Sequence, residues 1–78
     1  MLKIERGDLI IDKDMTSDYY LSHGPLIVVN ASYNEKSKIQ DMTFYFTKMG
    51  HCIKYSYLPE SIDELCKHFN IYRKGKLL

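Results

Sequence analysis

A mostly β domain with one short C-terminal helix is what this 78-residue sequence predicts, and three observations predict it. Residues 42 to 57 alternate apolar and polar side chains through two consecutive segments that meet at Met49-Gly50, the period of a β-hairpin with one buried and one wet face. Leu26-Ile27-Val28-Val29-Asn30-Ala31-Ser32-Tyr33 is a second run rich in β-branched residues, bounded by Gly24-Pro25 and by the polar stretch Asn34 to Lys38. After Pro59 the period changes: Ile62, Leu65, Cys66 and Phe69 fall at i, i+3, i+4 and i+7, one stripe of a short helix.

Taken in order, Gly7-Asp8 precedes Leu9-Ile10-Ile11, a short apolar run that reads as the first strand. Residues 12 to 25 hold three aspartates, two serines, a threonine and Gly24-Pro25, which reads as a long polar loop. Tyr19, Tyr20 and Leu21 supply the apolar atoms that could fold this loop back on the sheet. The strand at residues 26 to 33 has an apolar start that suggests cover on both faces, and simple alternation puts Ala31 and Tyr33 on the side of Ile27 and Val29.

In the hairpin, a two-residue turn at Met49-Gly50 sets Lys48 opposite His51. The buried face then pairs Phe46 with Ile53, Phe44 with Tyr55 and Met42 with Tyr57. The wet face pairs Thr47 with Cys52, Tyr45 with Lys54 and Thr43 with Ser56. Ser61-Ile62-Asp63-Glu64 fits a capping box opening a helix over residues 62 to 69, with Asn70 as its C-terminal cap. Ile71-Tyr72 reads as a last short strand, and Arg73 to Leu78 as a basic tail that frays.

The length allows one domain, residues 1 to 72 with the tail at 73 to 78, and folding at this size buries roughly 60% of the extended chain's surface. No apolar run exceeds five residues, which argues against a helical membrane span, and the first six residues have no signal-peptide pattern. A cytoplasmic location is therefore expected, with Cys52 and Cys66 as free thiols. The net charge is +1, divided between an acidic early stretch (Glu5, Asp8, Asp12, Asp14, Asp18) and a basic end (Lys67, Arg73, Lys74, Lys76).

The opening Glu5-Arg6-Gly7-Asp8-Leu9-Ile10-Ile11, the hairpin turning at Gly50 and the aromatic stretch Tyr55-Ser56-Tyr57-Leu58-Pro59 resemble the small five-stranded barrels of the Src-homology, Tudor and KOW kind. The resemblance spans roughly residues 4 to 72 and implies an antiparallel five-stranded barrel with a short C-terminal helix. The helix at 62 to 69 is longer than the single turn common in such barrels, which leaves an α+β sheet with one packed helix as the alternative. Barrels of this kind bind peptides, modified tails or nucleic acids, and many occur as small phage or mobile-element accessory proteins; none of those roles transfers by fold alone.

Histidine and cysteine come close in sequence twice, at His51-Cys52 and Cys66-Lys67-His68, without making a metal or catalytic pair. Neighbours on a strand point to opposite faces and residues two apart on a helix sit about 200° apart, so neither set converges on one ion. Cys52 on a wet face lacks the sheltered base and oxyanion site a nucleophile needs, and Ser22-His23 lies in a loop. No enzyme, metal or cofactor is expected.

Tyrosine, present seven times, covers interface area at little entropic cost. Tyr45, Lys54 and Thr43 on the wet sheet face, with Tyr19, Tyr20 and Tyr33 near one end, are the expected contact residues. The expected role is a non-catalytic interaction or inhibitor module docking on a larger protein or nucleoprotein machine, of the phage accessory or counter-defence sort. The alternative is nucleic-acid binding through exposed tyrosines and Lys48, Lys54, Arg73, Lys74 and Lys76, and a homodimer through an edge strand is a further possibility.

Overall fold

The computed structural model describes residues 3–78 and contains eight elements: β1 (Leu9–Asp12), α1 (Asp18–His23), β2 (Leu26–Tyr33), β3 (Gln40–Phe46), β4 (His51–Tyr57), α2 (Pro59–His68), β5 (Phe69–Arg73) and β6 (Lys76–Leu77). All six strands pair antiparallel in one sheet of order β4-β3-β2-β1-β5-β6. The mostly β antiparallel architecture is as the sequence predicts. The sheet is not closed, however, and the expected five-stranded barrel is replaced by six strands with β4 and β6 as free edges.

The helix explains the open sheet. From the outer edge at β4 the chain crosses the sheet through α2, whose ten residues span about 15 Å, and lands beside β1 as β5. Ile62 is fully buried, and Leu65, Cys66 and Phe69 pack against the same core, so the predicted stripe is the one that faces the sheet. A helix thus covers the face that the opposite wall would cover in a barrel.

On β3 the alternation is complete: Gln40, Met42, Phe44 and Phe46 are buried, and the residues between them are half-buried on the other face. Ile10, Leu26, Val28, Ile71 and Ile4 join them in one cluster. Burial of Phe44 and Phe46, each 1% exposed, dominates its energy.

Three local expectations are corrected. Each β3 residue pairs with a β4 residue two positions earlier than a two-residue turn requires, with Phe46 opposite His51, Phe44 opposite Ile53, Met42 opposite Tyr55, Tyr45 opposite Cys52 and Thr43 opposite Lys54. A shift of two preserves every side chain's face. Its cause is tertiary: Thr47 N–H donates to the Pro25 carbonyl and Lys48 N–H to that of His23, so these residues bind the α1–β2 connection instead of β4. Residues 47 to 50 become the loop, closed by the Met49 and Gly50 N–H groups on the Phe46 carbonyl, with Gly50 at φ 74°.

Alternation along β2 breaks at a bulge. Val28 lies opposite Phe44 while Asn30 lies opposite Thr43, so Val29 is an extra residue and the parity beyond it is inverted. Ala31 and Tyr33 therefore share a face with Met42 and Gln40, not with Ile27.

The third correction concerns helix ends and the tail. Residues 18 to 23, read as loop, form α1, capped by the Ser17 hydroxyl, which accepts from Tyr20 N–H at 3.1 Å and donates to Asp12 at 2.7 Å. The capping box at Ser61 is absent because Pro59, preset for the first helical position, starts α2 earlier; Leu58 is its N-cap and Phe69 rather than Asn70 its C-cap. Residues 73 to 78 do not fray. Lys74 and Gly75, at φ 51° and 80°, form a tight turn that folds β6 back on β5.

Phe44→Ala is expected to cost about 3–5 kcal/mol, read by urea unfolding, since the ring is buried between Val28 of β2 and Ile53 of β4 in the core that α2 covers.

Candidate functional site

The sheet has two faces, and only one is covered. Both helices lie on the core side: Ile62 of α2 belongs to the core, while Tyr19 of α1 stacks on His23 at 4.3 Å and meets Phe69 edge-on at 5.5 Å. On the opposite, outer face the register places Cys52 beside Tyr45, Tyr45 beside Ile27, Ile27 beside Leu9, Leu9 beside Tyr72 and Tyr72 beside Leu77. One row of uncharged, mainly apolar side chains therefore runs across all six strands. Ile27 is 37% exposed and Leu77 59%, with Leu9, Tyr45 and Tyr72 half-buried by their neighbours. Where β1 meets the β5–β6 turn the row sinks into a depression of about 370 Å³, lined by Gly7, Leu9, Ile11, Tyr72, Lys74 and Gly75.

Of the residues expected to bind a partner, Tyr45, Thr43 and Lys54 come together on this outer face, Thr43 directly opposite Lys54. The other three do not join them. Tyr19 belongs to the aromatic group on the core side, Tyr20 lies half-buried in α1, and Tyr33 sits at the far end of β2 under the Lys3 ammonium, 4.4 Å from its ring centre. Leu9, Ile27, Tyr72 and Leu77 were not anticipated as surface residues. The signal for Leu9 and Ile27 was present in the two apolar runs, whose side chains of both parities imply cover on both faces.

The cations named for nucleic acid are scattered. Lys54 lies on β4 and Lys74 and Lys76 at the opposite edge of the sheet, while Lys48 Nζ donates to the Leu21 carbonyl at 2.9 Å. Arg73 is engaged within the fold. Its Nε and Nη2 donate to the two Asp8 oxygens at 2.9 and 2.8 Å, Nη2 also reaches the Lys3 carbonyl, and Nη1 lies 2.9 Å from Glu5. Burial would push the Asp8 carboxyl up, but the Arg73 hydrogen bonds, the Glu5 N–H and the guanidinium charge outweigh it and hold it below its ordinary value.

His51 and Cys52 point to opposite faces, His51 towards Phe46 and Cys52 beside Tyr45. Burial and Asp63 push the Cys66 thiol up, with Lys13 opposing weakly, which leaves little thiolate. On α2, Glu64 pairs with Lys67 and His68, each at 3.3 Å, in full view of solvent. Among the described residues no three His, Cys, Asp or Glu side chains cluster to hold a metal ion, and no helix is long and apolar enough to cross a membrane.

Asp8→Asn should cost about 2–3 kcal/mol at neutral pH, because the fork loses one charged partner inside the fold. The folded carboxyl releases its proton more readily than the unfolded one, so its contribution is complete above the ordinary value of 3.8 and is lost as pH falls through the lower folded value. Urea unfolding at several pH values should accordingly show the gap between the parent and Asp8→Asn closing below that point. No protein-family model, curated protein or solved structure matches this chain, so its own geometry carries the functional assignment.

Proposed function

We propose that this chain is a non-catalytic interaction module that docks on a larger protein through the outer face of its sheet. The observation that carries the reading is the uncharged row from Cys52 to Leu77, which no described element covers. Rigid strands present it, and tyrosines at the second and fifth positions combine ring area with a hydroxyl that satisfies a partner's polar group. Thr43, Lys54, Asp41 and Ser56 form a polar flank beside it, with the Ser56 hydroxyl donating to Asp41. An apolar centre with a polar rim is the anatomy of a protein interface.

An inhibitor or accessory role, of the kind small phage proteins play in a host cytoplasm, is the finer form of this proposal. It is supported by the chain's small size and by the outer face being its main uncovered apolar surface. The scatter of lysines over opposite edges of the sheet, and the engagement of Arg73 with Asp8, favour a protein over a nucleic acid as partner.

Pull-down with mass spectrometry, using the parent chain and Tyr45→Ala as paired baits, tests the reading. The expected result is a specific protein captured by the parent and lost by the variant, with stability lowered by at most about 2 kcal/mol for the two cross-strand contacts to Ile27 and Cys52. Retention of a short labelled oligonucleotide at low salt, collapsing as salt rises, would instead assign the surface to nucleic acid.

A further inference from the structure

We infer that a second copy of this chain occupies the outer face, the two sheets packing face to face about a twofold axis; this rests on the docking reading, since it fills the same surface. β1 and β2 carry apolar side chains on both faces, as strands do when they are buried on both sides. The helices cover only one of those sides, and Leu9, Ile11, Ile27 and Val29 are left on the other or at the bulge.

The order of the row points to a copy of itself. Read from β4 it runs Cys52, Tyr45, Ile27, Leu9, Tyr72, Leu77: a ring, two aliphatics and a ring, bracketed by smaller apolar groups. It reads nearly the same from β6. A twofold axis parallel to the strands between β2 and β1 lays Ile27 of one copy over Leu9 of the other and Tyr45 over Tyr72. Twofold contacts require this self-complementarity. The row itself carries no formal charge, and the nearest cations, Lys54 beyond Cys52 and Lys74 beyond Tyr72, stand one step off it on the same flank, so two copies meet without like charges facing in the centre.

The area suits a reversible dimer. Strands about 4.8 Å apart and a few residues deep give roughly 500 Å² of face per copy, or roughly 1,000 Å² for the pair, near the lower bound for a specific interface. Edge-to-edge pairing is less suited, because β6 has two residues and β4 carries Lys54 at its centre. A dimer of this kind holds the docking face covered until a partner of higher affinity displaces the copy.

Sedimentation velocity of the full chain from micromolar to millimolar concentration tests this. The expected result is a monomer–dimer equilibrium whose dissociation constant rises about tenfold or more in Ile27→Asp, with the far-ultraviolet circular dichroism of the variant unchanged. Tyr45→Arg serves in its place if Ile27→Asp does not fold. A chain monomeric throughout, or a dimer indifferent to a folded face variant, overturns the inference. The two proposals separate cleanly: a monomer that still captures a partner through Tyr45 leaves docking standing alone, whereas a face-dependent dimer whose partner capture ignores Tyr45→Ala leaves only the dimer.

Discussion

Arg73 ends β5 and reaches back 65 residues to grip both oxygens of Asp8, whose own backbone is already tied to β2. The Asp8 carbonyl accepts from Val28 N–H, and Gly7 N–H donates to the Val28 carbonyl. One residue thus fastens the segment before β1 to β2 through its backbone and to β5 through its side chain. Asp8 is 1% exposed, so the charge is tolerable only because the guanidinium fork and the Glu5 N–H satisfy it. The sheet's order places β5 against β1, and this fork pins the two at their ends. With it in place the β5–β6 turn is held beside Gly7 and Leu9, where the apolar depression forms.

On that frame the two faces of the sheet diverge. The core face collects Phe44, Phe46, Ile10 and Val28 beneath two helices, and Gln40 closes one end by accepting the Ile4 N–H at 3.0 Å. The outer face keeps the apolar side chains that strands β1 and β2 carry in excess. The bulge at Val29 matters to both, because the parity change sends Ala31 and Tyr33 to the core side and leaves Asn30 beside Thr43. Without it the far half of β2 would turn its polar residues inward.

The uncovered outer face is therefore a by-product of how this fold closes. A barrel would curl the sheet round its own core, whereas an open sheet capped by helices on one side leaves the other face uncovered. Open, and uncharged along its central row, it suits contact. The histidines and cysteines lie apart from it or from one another, and Cys66 holds its proton more firmly than a free thiol.

Much of this was legible from the amino acids alone. The alternation of β3 and β4 named the core residues Met42, Phe44 and Phe46, and the stripe Ile62, Leu65, Cys66 and Phe69 named the helix and its buried side, because periods of two and 3.6 follow from backbone geometry in any context. That Tyr45, Thr43 and Lys54 share one wet face followed from the same rule. Hairpin register was another matter, since the Thr47 and Lys48 amides chose acceptors more than twenty residues distant, on Pro25 and His23. So were the bulge, the early start of α2 at Pro59, the ordered tail and the fork between Asp8 and Arg73. Each depends on a partner that lies far along the chain or on competition between two local options, and side-chain period carries no record of either. The sequence by itself determined which side chains alternate and which repeat by turns; the tertiary structure decided which of two apolar faces a helix would cover, and so which face remains open.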